Sequence, residues 1–130
     1  MSLKNIFRRH ALQSVALAVV TASIGSAAFA QTYPTRSIKF IVPYSAGGLP
    51  DTVARIYAQR LGDRLGQPVV VDNKPGANGV VAAQAMATSP KDGYTFLVTD
   101  GSMFSINPSL YKTISYDYKR DFVPVSLAAR

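Results

Sequence analysis

No cysteine occurs in the 130 residues, which excludes a disulfide framework, a thiol nucleophile and thiolate metal sites. It also excludes the cysteine that would carry a lipoprotein anchor behind an export signal. Histidine is nearly absent: the single one is His10, inside a segment expected to be removed. What remains offers no imidazole for a Ser-His-Asp or Cys-His site, nor for zinc or iron. All seven acidic residues are Asp, and several have local explanations: Asp51 at a helix start, Asp63 on a polar helix face, Asp92 before Gly93 in a turn. Paired-carboxylate catalysis is poorly supported, and no metal or cofactor is expected. Runs of Lys or Arg are missing as well. The net charge is +7, and three of the 14 cations lie within Met1–Ala30, so the remainder carries +4. A modest, dispersed positive excess favours anionic small ligands and argues against nucleic acid.

What is present begins with an export signal. Met1–Ala30 has Lys4, Arg8 and Arg9 in front, an apolar middle from Ala11 to about Ile24, and Ala28-Phe29-Ala30 as a small-x-small cleavage site. Cleavage after Ala30 is expected, with the mature protein starting at Gln31. An uncleaved anchor is the alternative, and Arg8-Arg9 with Leu12 hints at twin-arginine export. The chain stops just after the apolar run Phe122–Leu127, and a truncated record is expected.

Strand-like runs at Ile38–Val42, Val69–Val71, Tyr94–Thr99 and Val123–Leu127, with helical stretches between the first three, predict βαβ units and a parallel sheet. Right-handed crossovers then place every strand-to-helix loop on one edge. The first helix is expected from about Pro50 to Leu65, ended by Gly66, with Val53, Tyr57, Leu61 and Leu65 joined by Ala54 and Ala58 as its buried stripe and Arg55, Arg60 and Arg64 facing solvent. A second, Ala-rich helix is expected at about Gly79–Thr88, stopped by Ser89–Gly93, and Asn107-Pro108 starts a short helical turn.

The chemistry concentrates in the loops. Ile38 to Asp51 runs from a buried-strand pattern through Tyr44-Ser45-Ala46-Gly47-Gly48 into a helix start, where main-chain N–H groups and the positive helix end can receive an anion. Pro75-Gly76-Ala77-Asn78-Gly79 repeats the arrangement after the second strand, and Asp100-Gly101-Ser102 opens a third loop on the same edge. Candidate ligand-binding residues are therefore Tyr44, Ser45, Ala46, Gly47, Gly48, Asp51, Gly76, Ala77, Asn78, Gly79 and Ser102. Gly47-Gly48 fits neither G-x-G-x-x-G nor a P-loop, and Ser45 is not in a nucleophile elbow. Plainer accounts stand beside these: tight turns for both glycine pairs, helix capping for Asp51, core packing for Tyr44, and caps of the short turn for Ser102 and Asn107.

At these residues the chain closely resembles the substrate-binding receptors of tripartite tricarboxylate transporters, the Bug family. The matching string includes Tyr33-Pro34, Val42-Pro43 with Ala46-Gly47-Gly48 and Asp51, Leu65-Gly66-Gln67-Pro68 through Asp72-Asn73-Lys74-Pro75-Gly76-Ala77, Asp92-Gly93-Tyr94-Thr95, Asn107-Pro108 with Leu110-Tyr111, and Asp121-Phe122 with Pro124-Val125. The resemblance implies an α/β fold, here part of the first lobe of a two-lobed type II periplasmic binding protein with a parallel sheet and flanking helices. It also implies a monomeric, non-catalytic receptor in the periplasm that hands a small organic carboxylate to a membrane permease. Two departures stand out: a common Phe-Pro pair is Tyr44-Ser45 here, and a common Gly is Asn78. The alternative function is the amino-terminal half of an exported α/β enzyme whose catalytic residues lie beyond residue 130.

Overall fold

The computed structural model describes residues 32–128; the export signal and its cleavage point lie outside the described residues. Three strands, β1 (Ile38–Val42), β2 (Val69–Asn73) and β3 (Thr95–Leu97), form one sheet in the order β2-β1-β3. Both pairings are parallel, with Phe40 opposite Val71 on one side and Phe96 on the other. The central strand is the most apolar of the three, and Ile38, Phe40, Ile41 and Val42 are all buried, as a parallel strand covered on both faces requires.

Helix α1 (Leu49–Leu65) connects β1 to β2, and α2 (Val80–Ala87), preceded by a 3₁₀ turn at Ala77–Gly79, connects β2 to β3. They cover opposite faces. Ala58, Leu61 and Leu65 of α1 pack with Ile38, Phe40, Val69, Val71 and Phe96. Ala83 and Val80 of α2 pack with Leu97, Met103 and Tyr116. Small side chains make both approaches close: Ala54, Ala82 and Ala83 are fully buried. Beyond β3 come three single turns, α3 (Ser102–Ser105), α4 (Asn107–Leu110) and α5 (Tyr118–Asp121). Tyr116 and Phe122 pack edge-on to Phe104 as an aromatic cluster beside α3.

Two expectations need correction. The buried stripe of α1 is Asp51, Ala54 and Ala58 with half-buried Leu61 and Leu65, and Tyr57 is 45% exposed. Residues four apart advance 400° around a helix, so a strict four-residue row drifts off the inner face, whereas alternating spacings of three and four stay on it. The drift also carries the inner face back to Asp51. The run Val123–Leu127 is extended but forms no ladder, and Val123, Val125 and Leu127 are exposed. A strand pattern needs a neighbouring edge to become a strand, and none is in register with it among the described residues.

Candidate functional site

In the order β2-β1-β3 the chain leaves β1 toward one side and returns past it to reach β3, so the strand order reverses between the adjacent strands β1 and β3. This is the position where open α/β sheets form their ligand crevices. Three loops meet there: 43–48 after β1, 74–79 after β2 and 98–101 after β3. Their closeness is measured at Gly79, whose φ is +88°. A Cβ placed on it would stand 2.6 Å from Met103 Sδ and 3.3 Å from Pro43 Cβ, so one glycine of the second loop lies against the first loop and against α3, the turn that follows the third. A shallow recess near Gly62, Gly66 and Pro68 lies at the opposite rim, away from these loops.

The first loop is held by charge. Asp51 is 2% exposed, and its carboxylate accepts hydrogen bonds from Arg55 Nε (2.9 Å), Gly47 N (2.8 Å) and Asn73 Nδ2 (2.9 Å). Arg55 also donates to Asn73 Oδ1, and Asn73 Nδ2 donates to the Tyr44 carbonyl. The Arg55 hydrogen bond first, then those from Gly47 and Asn73, hold the Asp51 carboxyl well below the ordinary carboxylate range. Asp51 thus reaches back to tie its own loop, α1 and the end of β2 together. The amide of Gly47 is consumed in this tie, and Arg55, expected simply to face solvent, is part of it.

The second loop is held by neutral amides. Asn78 Nδ2 donates to Asn107 Oδ1 (2.7 Å), and Asn107 Nδ2 donates to the Asn78 carbonyl (2.9 Å) and to the Tyr116 hydroxyl (3.2 Å). The Tyr116 hydroxyl in turn donates to the Met103 carbonyl (2.7 Å). Asn107 is fully buried and makes no side-chain cap to α4, so the capping account of this residue does not hold. Ser102 does not cap either: its amide and hydroxyl both donate to Asp100 Oδ1.

Tyr44, half-buried, places its phenol beside Ser102, Asp100 and Thr99 of the third loop. Burial raises the phenol above its ordinary value of 10.0, and Asp100 adds to the rise, so Tyr44 is a neutral hydrogen-bond donor at physiological pH. Burial works against the charge on Asp100, but the hydrogen bonds from Ser102, with the Tyr44 phenol nearby, outweigh it and hold that carboxyl below its ordinary value.

Among the described residues, the amides of Ser45, Ala46 and Gly48 in the first loop, of Leu49 and Asp51 at the start of α1, and of Gly76, Ala77 and Asn78 in the second loop, have no protein acceptor. Ser45, Ala46, Gly48 and Leu49 are exposed, as are Gly76, Ala77 and Asn78. Clusters of acceptor-free amides at exposed residues of a rim are a recurring main-chain device for receiving an anion. The sequence reading therefore placed the loops together but missed the residues that hold them, Arg55, Asn73, Asn107 and Tyr116. A polar residue at the end of an apolar strand, as Asn73 is, was the available signal for one of them. Leu49, 78% exposed beside the first loop, was also unforeseen.

The sequence profile of the tripartite tricarboxylate transporter family receptor matches residues 53–130. Protein BugT of Bordetella pertussis is 44% identical over 117 residues, covering 89% of this chain and 36% of its own length. Two solved structures are similar. One, an R. palustris protein with adipate, is 41% identical, with a TM-score of 0.69 and coverage of 72% of this chain and 31% of that one. The other, MatC from Rhodopseudomonas palustris with bound malate, is 34% identical, with a TM-score of 0.70 and coverage of 74% and 33%. The chain spans about a third of the length of these relatives.

Proposed function

The chain belongs to the tripartite tricarboxylate transporter family of receptors, and from that premise we propose that it supplies the first-lobe side of a periplasmic receptor for a small organic carboxylate. The family is one of solute-binding receptors and not of enzymes, which removes the support for an exported α/β enzyme. The observation that carries the reading is the meeting at Gly79 of the second loop with Pro43 of the first and Met103 of the turn after the third, with acceptor-free amides on the first two loops. A carboxylate seated there accepts hydrogen bonds from main-chain N–H groups and gains from the positive end of α1, a helix of 17 residues.

In this reading the eleven candidate residues divide by role. Ser45, Ala46, Gly48, Gly76, Ala77 and Asn78 offer amides. Tyr44 offers a neutral phenol beside the third loop. Asp51, Gly47, Gly79 and Ser102 set the shape of the rim, because their polar groups are engaged or their space is filled. A neutral donor such as Tyr44 suits an acid without adding a fixed charge. The adipate and malate held by the two structural relatives support a dicarboxylate or hydroxy-acid ligand. Export to the periplasm, action as a monomer and delivery to a membrane permease complete the proposal.

The test is a thermal-shift titration of the protein, in the longest form its gene encodes, with dicarboxylates, tricarboxylates, aromatic acids and amino acids. A ligand present at a hundred times its dissociation constant stabilises the folded state by about 2.7 kcal/mol. A rise in melting temperature of several degrees with at least one acid is expected. No shift with any anionic solute overturns the proposal.

A further inference from the structure

Four successive residues of the second loop have positive φ: Gly76 (+140°), Ala77 (+44°), Asn78 (+48°) and Gly79 (+88°). Glycine enters this region without strain, and Asn tolerates it. Alanine adopts it only where the surroundings impose it. The imposing contact is visible. Asn107 reaches from α4 with its oxygen on the Asn78 side chain and its nitrogen on the Asn78 carbonyl, gripping the loop at its centre by the side chain and the main chain of one residue. Tyr116, buried and bound to the Met103 carbonyl, holds the Asn107 nitrogen from behind.

We propose that Asn107 is a positioning residue of the carboxylate site. From the segment after β3, it holds Gly76–Gly79 at positive φ, the form that leaves the amides of Gly76, Ala77 and Asn78 without protein acceptors. A released loop can turn Ala77 back to negative φ, which redirects the peptides on either side of it. The inference rests on the receptor reading for its functional meaning, but the grip itself is testable with no ligand present.

The experiment compares the wild type with Asn107→Ala and Asn78→Gly. Carbon chemical shifts and the HN–Hα coupling of Ala77 are read by NMR on the full chain. Affinities for malate and adipate are read by calorimetry on the longest form the gene encodes, at a temperature where circular dichroism shows each variant folded. Asn107→Ala is expected to move Ala77 out of its left-handed signature while the signals of Phe40, Val71 and Phe96 stay in place, and to weaken acid binding at least tenfold with faster dissociation. Asn78→Gly keeps a permissive backbone and loses only one half of the grip, so a weakening of about threefold with partial averaging at Ala77 is expected. Retention of the left-handed signature by a folded Asn107→Ala, or affinity within twofold of wild type, overturns the proposal. If Asn107→Ala does not fold, an unchanged Ala77 signature in Asn78→Gly overturns it. If the wild type binds no acid, the receptor reading fails, and the Ala77 signature still decides the grip.

Discussion

The two rim loops solve the same problem by different physics. The first, after β1, is tied by an ion pair and its hydrogen bonds, Asp51 with Arg55, Gly47 and Asn73. The second, after β2, is tied by uncharged amides and by contact, Asn78 with Asn107 and Gly79 against Met103 and Pro43. The first loop leaves space around its glycine turn, since nothing stands within 4 Å of a Cβ built on Gly47. The second leaves none. A charged tie holds a loop through direction and is sensitive to protons. A packed, neutral tie holds it through volume and is indifferent to pH.

The sharpest way to break this comparison is the same substitution in both loops. Gly79→Ala adds a methyl into fully buried Met103 and also strains a φ of +88°; the expected loss is about 3 kcal/mol, from overpacking and left-handed strain together. Gly47→Ala, at +87° but in open space, is expected to lose only about 1 kcal/mol. Urea denaturation of the two variants reads the difference, and equal losses would abolish the contrast.

Tyr116→Phe probes the neutral tie from behind. It leaves the Met103 carbonyl and one Asn107 proton without their partner in a buried place, an expected loss of about 1–2 kcal/mol, with the same size at pH 4 and pH 7.

Asp51→Asn probes the charged tie through pH. The Asp51 carboxyl titrates below its ordinary value of 3.8 in the folded protein, so the folded state binds protons less readily than the unfolded chain. Its contribution is then complete above the ordinary carboxylate range and is lost as pH falls below it. The melting temperature of Asp51→Asn is expected to lie several degrees below wild type at pH 7, and the gap to narrow below pH 4. A gap independent of pH would show that charge is not what holds the first loop.

The smallest effect belongs to a region outside both loops. Val125, 77% exposed in the extended segment after α5, is expected to accept Ser with a change within about 0.5 kcal/mol. The measurement is again urea denaturation.

Much of this molecule was legible in the chain. The bounds of β1 and the start of β2 were readable from short apolar runs between turn residues, and α1 from Pro50 near its beginning and Gly66 just past its end. The gathering of three loops on one edge followed from parallel βαβ units, because parallel strands all end at the same edge. The remote partners of Asp51 and Asn107 were not legible. Arg55, four residues along α1 from Asp51, lay within reach of the helix period, but Asn73 meets Asp51 only because β2 lies beside β1 in register, Val42 opposite Asn73. Asn78 and Asn107 are 29 positions apart and are joined by the return of the chain past β1. Local capping was the natural reading of both Asp51 and Asn107, since a single sequence contains no distance between remote residues.

The sequence by itself determined the three strands of the sheet, the two helices that connect them, their parallel order and the loops where main-chain amides would be left over, because periodicity, proline and glycine act over a few residues. Only the tertiary structure decided which of those amides remain available and which side chains hold them, because burial of Asp51 and Asn107 obliges each to find partners wherever the fold brings them.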